Sequence, residues 1–240
     1  MTNVPRKYAC RGEPGFSLPE LLVVIGIVAV VVAITLPVIR QVRRHSQRTL
    51  CASNLHQLGI AFACYAAENR GYMPRYAEDY VDPSGPLWVI AVTPYIAVPR
   101  NWSWQDLSRA SVLQCPSHPT EGIPTAFVLN CFAFETAPGW GGAFPVQVGR
   151  IKRAGALPWL LEAPDLFNTR FYNAFYDDIY FEPMHIIASP AHLRRGAAAR
   201  VSVDRHNGAT SNVLFLDGHV TATHERDLSL ESFDDGLRSH

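Results

Sequence analysis

The chain has 240 residues, with 21 basic against 21 acidic side chains, 48% hydrophobic content and only 18% charged residues. That length allows one compact domain or two. The formal charge of zero, with no basic stretch interleaved with stacking aromatics, argues against a nucleic-acid partner, and 18 prolines and 16 glycines exclude an all-helical bundle.

The shortage of charge is local. Leu21 to Ile39 is a run of nineteen residues without a charge, which as a helix spans about 28 Å, close to the hydrocarbon thickness of a bilayer. A buried core helix would be amphipathic, and this run is apolar all round. A cleaved secretory signal has a shorter apolar core and a small-residue cut site. Here the run continues into Pro37, Arg40, Arg43 and Arg44. A spanning helix is expected. Glu20 stands at its edge, where an acid costs several kcal/mol unless it is paired, and the run itself supplies no cation.

Gly15-Phe16-Ser17-Leu18-Pro19-Glu20 lies directly upstream of the run, behind a polar leader carrying Arg6, Lys7 and Arg11. This constellation resembles the class III leader of type IV pilins and type II secretion pseudopilins. The resemblance implies cleavage by prepilin peptidase after Gly15, N-methylation of Phe16, and pairing of Glu20 with the free amine of a neighbouring subunit. Pro19 departs from the family, which usually has an aliphatic residue or threonine there; the first turn of a helix tolerates it. Pro37 fits the proline at which pilin helices bend. Charge alone does not orient the span, because Arg40, Arg43, Arg44 and Arg48 follow it. The resemblance implies a single-pass protein of the inner membrane with an extracytoplasmic head.

Beyond the span, Cys51, Leu55, Leu58, Phe62 and Tyr65 recur at steps of four and three, one helical face, and Gly71 is placed to cap the helix. The stretch from Cys51 to Pro74 is similar to the segment after the membrane helix in pseudopilin-like proteins that end in a His-nine-residues-Asp-Gly motif. The expected organisation is a leader at 1–15, a transmembrane and assembly helix at 16–40, its extracytoplasmic continuation at 41–71, and a globular head at 72–240.

Short apolar runs in the head, Leu87–Val92, Ala126–Phe134, Leu157–Leu161, Phe171–Tyr180 and Asn212–Leu216, read as strands between Pro- and Gly-rich loops. Trp88, Trp102, Trp104, Trp140 and Trp159 are expected core anchors. The fold class is therefore α+β and pilin-like, a long N-terminal helix packed on a head of short antiparallel strands. Fragments at Cys115-Pro116-Ser117 and Leu160-Leu161-Glu162 extend the resemblance.

Asp204-Arg205-His206 and then Asp217-Gly218-His219 carry the C-terminal motif, with ten residues rather than nine between His206 and Asp217. Asp-Gly between strand-like runs predicts a tight hairpin, with Leu216 opposite His219, and with Phe215 and Val220 facing each other toward the core. Asp204, His206, Asp217, His219 and His224 are ligand-type residues, yet no HExxH, paired CxxC or EF-loop spacing accompanies them. A turn-forming Asp217 and a hydrogen-bonded buried His206 are the preferred reading, and no metal or other cofactor is expected. Without a G-x-S-x-G elbow or a marked nucleophile, no enzyme is expected either.

Five cysteines are present. Cys10 would leave with the leader. Cys51 and Cys64 are about 20 Å apart along one helix and cannot bridge each other. A bond from the helix to the head, a Cys115–Cys131 bond, or buried free thiols all remain open. The expected function is a structural subunit of a type IV pilus or type II secretion pseudopilus, whose partners are prepilin peptidase, other pilin subunits and the inner membrane. The alternative is a membrane-tethered extracytoplasmic binding module that never polymerises.

Overall fold

The computed structural model describes residues 18–74, 88–119, 125–130, 147–164, 184–185, 193–194, 199, 201–206 and 210–233. The chain divides into two compact units, Met1–Arg43 and Arg44–His240. Helix α1, Leu18–Glu68, belongs to both. In the first unit every described residue of it is exposed, including Leu21, Val24, Ile27, Val31 and Ile34. Pro37 lies inside the helix, where its ring removes the amide that would bond to the carbonyl of Ala33.

In the second unit the helix turns amphipathic. Cys51, Leu55, Leu58, Phe62 and Ala66 are buried, at the helical spacing expected, whereas Tyr65 is half-buried. The helix is capped at the expected Gly71, with the residue before it also in the left-handed region. Arg70 takes the left-handed conformation at φ 57° and Gly71 follows at φ 80°. The Gly71 amide then donates to the Ala66 carbonyl at 2.7 Å, the long-range bond of a Schellman cap.

The head is built on a sheet of five described strands in the order β3-β1-β2-β4-β5. These are β1, Phe127–Asn130; β2, Pro158–Glu162; β3, Met184–His185; β4, Thr210–Phe215; and β5, Val220–His224. β3 pairs with β1 in parallel, and the other three pairings are antiparallel. Side chains alternate between two apolar clusters. Phe127, Leu129, Leu160 and Leu214 join the cluster that holds the helix, while Val128, Leu161 and Val213 join Val201, Val203, Leu228 and Phe233 on the other side. A register shift between Pro158 and Leu160 puts Trp159 in the helix cluster as well. Phe62 lies between two tryptophans, tilted on Trp88 at 5.7 Å and edge-on to Trp159 at 6.0 Å. Both tryptophans are buried and Trp102 is half-buried against the same cluster; the Trp104 side chain and Trp140 lie outside the described residues.

Two expectations need correction. The apolar run at Leu87–Val92 is not a strand: helix α2 occupies Trp88–Val92, with Trp88, Val89, Ala91 and Val92 buried. A short apolar run carries no periodicity that separates the two structures. A further helix, α3 at Trp104–Arg109, is opened by a capping box between Ser103 and Asp106. The runs at Phe171–Tyr180 and at 131–134 lie outside the described residues.

The hairpin exists, but its register differs by one residue. Leu214 opposes Val220, and the Phe215 amide donates to the His219 carbonyl at 2.9 Å. A two-residue type I′ turn needs positive φ at both central residues. Here Gly218, at φ 93°, is positive and Asp217 is not. The connection is therefore a three-residue loop, with the Gly218 amide donating to the Phe215 carbonyl at 2.9 Å. As a result Phe215 and Val220 pack on different clusters, and Phe215 stacks on the His219 ring at 4.4 Å.

Candidate functional site

Gly15 and Phe16 lie outside the described residues, and helix α1 begins at Leu18. Glu20 is in the first turn of α1 and exposed. A carboxylate in that turn is favoured by the positive end of the helix dipole. The helix contains a stretch long and apolar enough to cross a membrane, none of it buried.

The C-terminal motif residues separate into two settings. Asp217 accepts from the His219 amide at 3.1 Å and meets His219 Nδ1 at 2.6 Å, with both side chains substantially exposed. Partial burial pushes the Asp217 carboxyl up, but the hydrogen bonds from the His219 backbone and ring outweigh it and hold the group below the usual carboxylate range. Gly155 leaves room for this carboxylate, since a Cβ there would stand 2.9 Å from Asp217 Oδ2. Asp204 is exposed. His224 Nδ1 accepts from the Arg226 amide at 3.3 Å and caps the 3-10 turn Glu225–Asp227 that follows β5.

His206 is elsewhere in chemical terms. Its Nε2 lies 2.8 Å from Glu162 Oε1, and the two side chains are 2% and 0% exposed. The five ligand-type residues Asp204, His206, Asp217, His219 and His224 therefore do not form one group as the sequence suggested. His206 instead joins Cys51, Cys115 and Glu162, whose ligand atoms all lie within 4.8 Å of one another and are all buried. Cys51 and Cys115 are joined as a disulfide, which ties α1 to the segment after α3. Among the described residues Cys64 is a free, exposed cysteine, and Cys131 lies outside them.

Glu162 is the hub. Its Oε2 accepts from the Ser211 hydroxyl at 2.8 Å and from the Asn212 amide at 3.3 Å, while Oε1 accepts from Asn212 Nδ2 at 3.2 Å. Asn212 Nδ2 also donates to the Arg48 carbonyl on the helix at 3.2 Å. Around this centre Asn54 Nδ2 donates to the carbonyls of Ser111 and Gln114, each at 2.7 Å, and Gln47 Nε2 donates to the Pro116 carbonyl at 3.2 Å. Gln47, Cys51 and Asn54 fall on one helical stripe, so a polar seam runs beside the apolar one. Arg205 donates to the Ala163 carbonyl and holds the His206 segment against the end of β2.

Compared with known protein families, residues 10–36 match the prokaryotic N-terminal methylation motif. The chain carries a prepilin-type N-terminal motif, which supports a type IV pilin- or pseudopilin-like protein. No curated protein and no solved structure gives a match.

The matched segment covers Gly15, Phe16, Glu20 and most of the uncharged run. It marks the prepilin-like chain for processing by prepilin peptidase and implies assembly with other pilin subunits. The apolar helix fits anchoring in the inner membrane. The buried cluster lies outside the match. Glu162 and Cys115 stand in the sequence fragments noted above, but nothing local assigns them a role. The usable signals were an acid ending the apolar run Pro158-Trp159-Leu160-Leu161 and a cysteine on the inward face of the helix.

Proposed function

We propose that the prepilin-like chain is a structural, non-enzymatic subunit that polymerises through its apolar helix into a type IV pilus or a type II secretion pseudopilus. Glu20 carries this reading. An acid beside nineteen uncharged residues is costly in lipid unless a cation meets it, and the Phe16 amine freed by cleavage after Gly15 supplies that cation on a neighbouring subunit. A mere tether gains nothing from an acid at that position. An extracytoplasmic head agrees with the Cys51–Cys115 disulfide, a bond that persists on the oxidising side of the membrane. A structural rather than catalytic head agrees with a His206 ring that is 2% exposed and engaged by Glu162.

The test joins mass and assembly. Intact mass of the membrane-extracted protein should correspond to a chain beginning at N-methylated Phe16, and Gly15→Glu should leave the precursor uncut. Glu20→Ala should insert normally yet be lost from sheared filaments or the assembled pseudopilus. Wild-type incorporation of Glu20→Ala would favour the tethered binding module instead.

A further inference from the structure

We propose that Cys51, Cys115, Glu162 and His206 form a structural site for a zinc-class divalent cation when the chain is reduced, and that the Cys51–Cys115 disulfide is the oxidised alternative of the same site. The donor set is two thiolates, one imidazole and one carboxylate, which suits zinc and excludes the all-oxygen preference of calcium or magnesium. Zinc holds sulfur at about 2.3 Å and nitrogen or oxygen at about 2.0–2.2 Å, so its tetrahedral ligands stand roughly 3.3–3.8 Å apart. Cys115 Sγ already lies 3.9 Å from both Glu162 Oε1 and His206 Nε2. The Cα atoms of Cys51 and Cys115 are 4.9 Å apart, so side-chain rotation alone parts the sulfurs.

Two further features point to an ion. Glu162 Oε1 stands 2.8 Å from Cys51 Sγ and 2.8 Å from His206 Nε2, so three ligand atoms converge on one point and need part by only about 0.5–1 Å to reach the zinc spacing. A disulfide sulfur has no proton to offer that oxygen, whereas a cation between them gives each atom a partner. The carboxylate is also oriented from behind by Ser211 and Asn212, the arrangement by which outer hydrogen bonds fix metal ligands. With all four residues buried, the site is closed and therefore structural, not catalytic.

Passage to the disulfide is a two-electron step. A small disulfide such as oxidised glutathione accepts the electrons. One cysteine thiolate attacks it and expels a glutathione thiolate; the second cysteine attacks the mixed disulfide and expels the other. Two solvent protons complete the two glutathione thiols, and the cation leaves unchanged as M²⁺.

The experiment uses the full chain in detergent, in a C64S/C131S background so that the remaining mature thiols are those of the site. After reduction with a phosphine, wild type should retain one zinc per chain through gel filtration, and cobalt(II) should give a thiolate charge-transfer band. The oxidised chain should retain none. Cys115→Ser should lose the band, and His206→Gln and Ser211→Ala should each weaken zinc binding by about tenfold or more. Without any site variant, zinc should slow the reformation of the Cys51–Cys115 bond by oxidised glutathione at least tenfold. A reduced chain that takes up no zinc, folded or unfolded, overturns the proposal. So does zinc retained undiminished by Cys115→Ser, or an oxidation rate indifferent to zinc.

Discussion

Gly59 on α1 and Leu214 on β4 are so close that a Cβ added to Gly59 would stand 2.9 Å from Leu214 Cδ1, with the Gly218 backbone 3.5–3.6 Å away. The helix can lie against the sheet at this point because position 59 has no side chain. Leu214 is 1% exposed and has little room to retreat. Gly59→Val should therefore cost about 1–3 kcal/mol of head stability, the usual penalty of overpacking. Gly149→Val, where a Cβ meets nothing within 4 Å, is the matched control and should cost much less. Thermal melts of the two variants make the comparison.

The buried pair of Glu162 and His206 should be the most sensitive point of the head. Removing His206 leaves Glu162 short of a buried hydrogen-bond partner and opens a cavity, together a loss of about 3–5 kcal/mol. His206→Ala should thus destabilise more than Gly218→Val, for which strain at φ 93° predicts about 1–3 kcal/mol. Denaturant midpoints of the two variants decide the order, and equal midpoints would mean that the pair contributes little.

Loss of the covalent tie should be visible under oxidising conditions. The bond spans 64 residues, for which chain entropy predicts about 4 kcal/mol. Cys51→Ser should lower the melting temperature of the oxidised protein, while Cys64→Ser should leave it unchanged.

Alkaline pH should loosen the end of α1. Tyr95 donates its hydroxyl to Glu68 Oε2 at 2.5 Å, and that hydrogen bond, reinforced by burial, pushes the phenol up to about 12 from 10.0. The folded value exceeds the unfolded one, so the neutral phenol is the form that folding favours. Its contribution is complete below about pH 10 and is lost as pH rises from there through about 12. Tyrosinate absorbance of wild type minus Tyr95→Phe should show the late titration, and a midpoint near 10 would mean that the Glu68 contact is absent in solution.

Acid should act on the hairpin in the opposite sense. Because the Asp217 carboxyl is held below its ordinary range by His219, the loop keeps this support at neutral pH and loses it as pH falls through the depressed value. The protection factor of the His219 amide should fall in that window, and Asp217→Asn should abolish the pH dependence.

Much of this was legible locally. The uncharged run, the inward stripe from Cys51 to Phe62, and the Asp217-Gly218 turn each express a period or a backbone requirement contained in neighbouring residues. The hairpin register was not legible, because it depends on whether Asp217 adopts positive φ, and Asp tolerates either sign. Trp88–Val92 was misread for want of length. Glu162 was beyond reach for a different reason. Its partners lie 111 residues away at Cys51, 44 at His206 and 49 at Ser211, so only the folded chain reveals that one buried acid joins them.

The place of the Cys51–Cys115 bond has a mechanical meaning. Among the described residues, tension on the N-terminal part of α1 enters the head first at Gln47 and Arg48, which are held by hydrogen bonds to Pro116 and Asn212. Left to such contacts, a helix peels from the loaded end one turn at a time. The covalent bond follows within one turn of that end, before Leu55, Leu58 and Phe62 are reached. It diverts the pull into the segment around residue 115, so the apolar seam beyond it is spared from unzipping and the head has to be sheared as a whole.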